Sequence, residues 1–252
     1  MKRPFGQHFL FDPNILKKII SCSGISKDDT VVEIGPGLGT LTRFLAMHAK
    51  KVIAIEIDKR LIERLQEIVS TNTNVEIIQA DALKFPYDII DGRFKVVANI
   101  PYYITTPILF RLLEFRDKIT SMTLLMQKEV AKRIAASHDC NDYGVLSISL
   151  QLHTRPTMKF SVSRKAFLPP PKVDSAVVYF EVSPSPFFKV KDEEFFLKVV
   201  KTAFSQRRKT IINSLKTFEG IRDSLKKIGM DPKLRPENLS IEDYVRLAEA
   251  LE

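Results

Sequence analysis

The tetrapeptide Asn99-Ile-Pro-Tyr102 combines a neutral side-chain amide, a main-chain carbonyl beside a proline, and an aromatic ring. That set suits alkylation of an exocyclic amine on an aromatic base. The lone pair of such a nitrogen is delocalised into its ring, so the amine is a poor nucleophile until acceptors hold its two N–H groups and favour a pyramidal nitrogen. Asn99 offers a side-chain oxygen and Ile100 a carbonyl, while Pro101 fixes the backbone direction. Tyr102 would stack on the base, so the rate gain comes from alignment and electrostatic preorganisation rather than from a proton-abstracting base. Neither a His nor a Cys nucleophile is required. Taken alone, Asn, Pro and aromatic residues also make an ordinary β-turn, so the reading depends on what surrounds them.

A second group surrounds Gly35-Pro-Gly-Leu-Gly39, a turn between a β-branched run and a helical stretch. Glycines there let a ligand approach the backbone with no Cβ in the way. Glu56 ends the next apolar run 21 residues after Gly35, where a carboxylate accepts from both ribose hydroxyls, and that spacing equally suits a dinucleotide. Two features tilt the choice toward S-adenosylmethionine. The glycines run Gly-x-Gly-x-Gly, and Pro36 removes a backbone donor that a pyrophosphate would use. Asp81 follows the third apolar run and supplies an acceptor for an adenine amino group, while Glu33 is expected to add negative potential that suits a sulfonium. Gly35, Gly37, Glu56 and Asp81 are the cofactor candidates.

These residues need a scaffold that brings them to one edge. Val31–Ile34, Val52–Ile55 and Val75–Ile78 read as strands, with helical periodicity at Leu41–Ala49 and Leu61–Val69 between them. Strand–helix alternation implies a parallel sheet with helices packed on it. Lys95–Ala98 and Met122–Leu125 extend it to at least five parallel members, with helices expected at Pro107–Phe115 and Lys128–Ser137. Gly144–Leu152 fits a buried strand by alternation or a helix by length. Met158–Val162 and Ser175–Val182 look like a closing antiparallel pair around Pro169-Pro-Pro171. After Pro186 the apolar spacing of Phe195, Phe196, Val199, Val200 and Phe204 announces helices, so the division expected is a catalytic domain over 1–186 and a small helical domain over 187–252. In an open α/β sheet, ligands bind outside the carboxyl ends of the strands, where Asn99 and Glu56 both fall.

Composition is ordinary for a soluble globular protein. The 252 residues are 44% hydrophobic and 27% charged, and no apolar run reaches the roughly 18 residues a spanning helix needs. Lys and Arg outnumber Asp and Glu by 39 to 30, a net +9 that attracts polyanions. From Glu181 onward 14 basic residues face 12 acidic ones, so the small domain is no concentrated basic module. Cys22 and Cys140, the two cysteines, have no metal-ligand spacing, which argues against zinc or a disulfide framework. The opening Met1–Asp12 is too interrupted by Gln7, His8 and Asp12 to form a signal-peptide core, so a cytosolic, unprocessed chain is expected.

Eight segments in order make the chain resemble the ribosomal RNA adenine dimethyltransferases over essentially its whole length. They are Phe5–Leu10, Val32–Gly39, Glu56–Asp58, Asp81-Ala82, Asn99–Tyr102, Leu125–Val130, Phe167–Ala176 and Ala203–Thr210. The resemblance implies a class I methyltransferase fold, a Rossmann-like, mostly parallel seven-stranded sheet with a small all-helical C-terminal domain. It implies two methyls on the 6-amino group of each of two adjacent adenosines near the 3′ end of small-subunit rRNA. The same resemblance implies cofactor contacts at His8, Leu10 (through its backbone), Gly35, Glu56, Asp81 and Asn99, and adds Phe167 as a second aromatic wall opposite Tyr102. An adenine must leave its stack to be methylated, at a cost of a few kcal/mol, and stacking on protein rings contributes about 1–3 kcal/mol per base.

For phosphates the candidates are Lys128, Lys132, Arg133, Arg207, Arg208 and Lys209, against the alternative that they only solvate helix faces. The expected partner is small-subunit rRNA, in the 30S subunit or its precursor, with a monomeric protein, no metal and no membrane. Rival readings are a related adenine methyltransferase acting on large-subunit rRNA or DNA, a nucleic-acid-binding or assembly factor on the same fold, and, more weakly, an NAD-dependent enzyme.

Overall fold

The computed structural model describes residues 8–252, so Phe5–Gln7 of the first matching segment, and most of Met1–Asp12, lie outside the described residues. Among the described residues there are nine strands: β1 (Phe9–Leu10), β2 (Thr30–Ile34), β3 (Lys51–Glu56), β4 (Val75–Gln79), β5 (Phe94–Asn99), β6 (Ile119–Gln127), β7 (Thr154–Val162), β8 (Phe167–Leu168) and β9 (Ser175–Val182). Seven form one sheet in the order β4-β3-β2-β5-β6-β9-β7. The first five are mutually parallel and β9 runs antiparallel to β6. Strand order reverses between β2 and β5, which opens a crevice at their carboxyl ends.

Local chemistry explains the helices that flank this crevice. Helix α1 (Pro13–Ser23) starts where the Asp12 carboxylate accepts the Asn14 N–H, carries proline at its first position and stops at Gly24 in the left-handed region. Helix α2 (Thr40–His48) leaves the glycine turn directly, and α3 (Lys59–Val69) is capped by Asp58. Leu16, Ile19, Leu41 and Leu45 of α1 and α2 pack on Val31, Val52, Val97 and Val177 of the sheet. Helices α4 (Thr105–Leu113) and α5 (Lys128–Ala135) follow β5 and β6.

The chain separates into two compact units, one comprising residues up to Ala131 with Arg155–Pro184, the other Lys132–Thr154 with Ser185–Glu252. The second unit therefore takes in a segment that a division at 186 leaves in the first. Its reason is helix α6 (Val145–Gln151), whose Ile148, with Leu152 just beyond it, packs in a core with Phe196, Val199 and Tyr244. Residues 146–150 are all buried. With no solvent face to mark the period, the sequence could not separate helix from strand there. The other helices of this unit are α7 (Glu193–Ser205), α8 (Ile211–Ser214), α9 (Ile221–Lys227) and α10 (Ile241–Leu251).

Candidate active site

Residues from four strand ends and the N-terminal segment line one cleft of about 270 Å³, among them His8, Gly35, Glu56, Asp81, Asn99 and Tyr102. Gly35 and Gly37 have φ of +66° and +58°, which glycine adopts without strain. Space makes the same demand at Gly37, where a Cβ would lie 2.8 Å from the Phe9 ring, whereas one on Gly35 would meet the Pro101 ring in ordinary contact at 3.5 Å. The turn is thus closed on one side by β1 and on the other by the tetrapeptide.

Glu56 is buried, and each of its oxygens accepts a backbone N–H, from Gly37 at 3.1 Å and from Asp58 at 2.9 Å. Burial raises its pKa and those two N–H groups oppose the rise. A carboxylate oxygen has more than one lone-pair direction, so the pair of oxygens stays able to accept from ribose hydroxyls while the protein fixes their orientation. Asp81 accepts the Leu83 N–H through Oδ1 at 2.9 Å, which leaves Oδ2 as an acceptor. The donor set fits S-adenosylmethionine: a glycine cradle, two oriented carboxylates and neutral acceptors for an adenosine carrying a cationic sulfur. When bound, that cofactor supplies an electrophilic methyl carbon.

Glu33 departs from expectation. It is 1% exposed, and its Oε2 has no hydrogen-bond partner among the described residues. Burial pushes its pKa from 4.5 up to about 8, with the Thr42 hydroxyl opposing and Glu56 adding to the rise. At neutral pH it is mostly protonated and contributes little of the negative potential anticipated. Between those two values the folded chain binds a proton that the unfolded chain releases. The stability Glu33 contributes is therefore present below the lower value and lost as pH rises through the upper one, at up to about 1.4 kcal/mol per pH unit. Glu33→Gln is expected to flatten the fall in denaturant-measured stability between about pH 5 and 8; an unchanged slope against wild type contradicts this.

Asn99 ends β5 beside Leu125 of β6. Its Nδ2 donates to the His8 carbonyl at 3.1 Å. A carbonyl only accepts, so this contact sets the amide's orientation and leaves Oδ1 as the free acceptor. The Ile100 N–H donates to the Leu125 carbonyl at 3.1 Å, which leaves the Ile100 carbonyl as its remaining main-chain polar group at the cleft. His8, expected to meet the cofactor, lines the cleft, with Nδ1 2.8 Å from the Pro169 carbonyl oxygen. Leu10 lines it too, but its side chain is in the core and its carbonyl accepts the Thr40 hydroxyl at 2.8 Å.

The Tyr102 hydroxyl is 2.6 Å from the Ser175 Oγ. Ser175 pairs with Gln127, the last residue of β6, because β9 runs antiparallel and so begins at the edge where the parallel strands end. Burial raises the Tyr102 pKa, opposed by the Ser175 contact, so the phenol stays neutral. Sequence reading missed Ser175 as a site residue, although it lies within the matching Phe167–Ala176 segment. Ser175→Ala is expected to lower single-turnover methyl transfer about tenfold with unchanged cofactor affinity; unchanged transfer would show that the tether does not position the ring.

Phe167 is placed otherwise than the resemblance implies. It is 2% exposed, packed with Leu10, Leu16 and Val177, and it is not among the residues that line the cleft. In the β1–β8 ribbon it faces Leu10, and alternation turns Leu168 outward instead. The ring beside Tyr102 is that of His8, with centroids 5.6 Å apart and a 32° tilt. Tyr103, also unforeseen, lines the cleft while 58% exposed, and Asp81 and Glu56 lie close enough to add to a rise in its pKa that burial leads.

Of the phosphate candidates, Lys132, Arg133, Arg208 and Lys209 are exposed and Lys128 is half-buried. Arg207 is held within its own unit, 3.6 Å from the Glu237 carboxylate and donating to the Cys140 carbonyl at 3.4 Å. Among the described residues no cluster of three or more His, Cys, Asp and Glu could hold a metal, and no helix is long and apolar enough to cross a membrane.

Residues 1–252 match the family described as Ribosomal RNA adenine dimethylase. The chain is 43% identical over 260 residues to the Ribosomal RNA small subunit methyltransferase A of Caldanaerobacter subterraneus subsp. tengcongensis, covering 99% of this chain and 97% of the relative. The protein of that name from Streptococcus thermophilus is also 43% identical, over 265 residues, covering 99% and 91%. Among solved structures, a dimethyladenosine transferase from Plasmodium falciparum superposes with TM-score 0.84 at 32% identity, covering 95% of this chain and 96% of that one. The 23S rRNA methyltransferase ErmE gives 0.78 at 30%, covering 96% and 99%. Full-length matches on both sequence and backbone, to a chain whose cleft already fits the methyl donor, mean that it belongs to the ribosomal RNA adenine dimethylase family and is an S-adenosylmethionine-dependent methyltransferase.

Proposed function

We propose that this enzyme places two methyl groups on the 6-amino nitrogen of each of two adjacent adenosines near the 3′ end of small-subunit rRNA. The observation that supports the reading is the Asn99 side chain at the cleft, whose Nδ2 donates to the His8 carbonyl and so leaves its oxygen to accept from an incoming amine. Asn99 Oδ1 and the Ile100 carbonyl hold the amine's two hydrogens, Tyr102 stacks on the base, and Glu56 and Asp81 hold the ribose and adenine of the methyl donor. The small-subunit substrate is favoured over the large subunit because relatives so named are 43% identical, against 30% for ErmE. On this reading the enzyme works in the cytoplasm as a monomer on the 30S subunit or its precursor, with the helical C-terminal region docking on the particle. Incubating purified enzyme and labelled methyl donor with 30S subunits lacking the modification, then mapping the bases, should find dimethyladenosine at two adjacent positions near the 3′ end. Label absent from the 30S particle, or confined to other positions in its rRNA, overturns the proposal.

A further inference from the structure

The segment that tethers Tyr102 also carries cations that the methyl donor cannot use. Asp174, next to Ser175, accepts the Lys128 N–H through its carbonyl and the Arg164 N–H through Oδ1, both at 3.0 Å. Arg164 in turn donates from Nη1 to the Lys172 carbonyl at 3.5 Å. Arg164, Lys165, Lys172 and Lys128 are thereby drawn around one short bracket whose last residue holds the Tyr102 hydroxyl. The first three are exposed. Asp174 and Glu129 are the acidic residues within it, and one oxygen of Asp174 already faces the Arg164 N–H, so positive charge dominates. Leu168 and Val173, exposed apolar side chains, flank it.

A cationic sulfonium is repelled by such a cluster, so its use must lie with an anion arriving at the Tyr102 end. We propose that Arg164, Lys165 and Lys172, with Lys128, form a phosphate-binding rim for the RNA strand on either side of the adenosine that enters beside Tyr102. This rests on the reading of the enzyme as an rRNA methyltransferase and adds the surface that grips the strand. Phosphate contacts set register without reading sequence, and here they would fix the target nucleotide relative to the ring that receives its base. Arg207 is a weaker candidate for the role because its guanidinium is already occupied.

The test compares wild type with a full-length Arg164→Ala, Lys165→Ala, Lys172→Ala variant, titrating a fluorescent RNA hairpin of the small-subunit 3′ end at several salt concentrations. Expected are an affinity at least about tenfold weaker and a salt dependence of log K shallower by about two units. Cofactor affinity and the rate at saturating RNA should stay within a few fold. Lys50→Ala, which removes an exposed charge just before β3 at the opposite sheet edge, should change RNA affinity by less than about twofold. If the triple variant fails to fold, Lys172→Glu alone should show the same direction of effect. Unchanged RNA affinity and salt slope overturn the rim. So does a loss seen with intact subunits but not with naked RNA, which would assign the cations to an acidic protein partner. Rim-dependent RNA binding by a wild type that methylates nothing would instead overturn the proposed function and leave the rim standing.

Discussion

Tyr102→Ala is expected to lower single-turnover methyl transfer by at least about a hundredfold while calorimetric cofactor affinity stays within a few fold. Two losses combine. Stacking on one ring contributes about 1–3 kcal/mol, comparable with the few kcal/mol needed to extrude the base, so its removal depopulates the flipped state. The amine that does arrive is no longer aligned, and misplacement of the reacting atoms by about 1 Å alone costs on the order of a hundredfold. With Phe167 buried and absent from the cleft lining, that ring does not compensate; the ring in contact with Tyr102 is that of His8. Tyr102→Phe, which keeps the ring and loses the 2.6 Å contact to Ser175, should match Ser175→Ala, and combining the two should add nothing. Equal loss in Tyr102→Ala and Tyr102→Phe would give the hydroxyl rather than the ring the leading role. Loss of cofactor binding in Tyr102→Ala would make it a structural residue.

Asn99→Ala is the second large effect, an expected fall of about 10²–10³ in transfer rate, the range for removing one preorganised hydrogen-bonding group from a polar site. On the proposed reading the side chain has two partners to lose, the substrate amine at Oδ1 and the His8 carbonyl at Nδ2. Asn99→Asp separates neutral positioning from base catalysis. A carboxylate cannot donate to the His8 carbonyl and would be repelled by it, so the account expects a loss comparable to that of alanine. Were proton abstraction the chemistry, the aspartate would preserve or raise the rate.

The clustering of most candidates in one cleft was legible in the sequence because they sit at or just after strand ends. Glu56 and Asn99 each close a β-branched run, Gly35 and Gly37 open a helix, and period-two and helical patterns therefore locate them at one sheet edge. What stayed hidden depended on long-range pairing. Ser175 reaches Tyr102 only because β9 runs antiparallel to β6. Phe167 turns inward only because of its pairing with Leu10 in a two-residue ribbon. Glu33 reads as a charge in the sequence, and only its complete burial makes it a mostly neutral acid. The regrouping of 132–154 with the C-terminal helices likewise follows from an all-buried helix that has no amphipathic signature.

The most direct test compares the two successive methyl transfers. An unmodified adenine presents two N–H groups to Asn99 and Ile100, and a monomethylated one presents a single N–H. Single-turnover rates on RNA carrying either base, measured with wild type and Asn99→Ala, should show a deep loss in the variant that differs between the two steps. Equal losses would mean that holding the hydrogens is not what Asn99 does, and transfer at the wild-type rate on both RNAs would contradict the account outright.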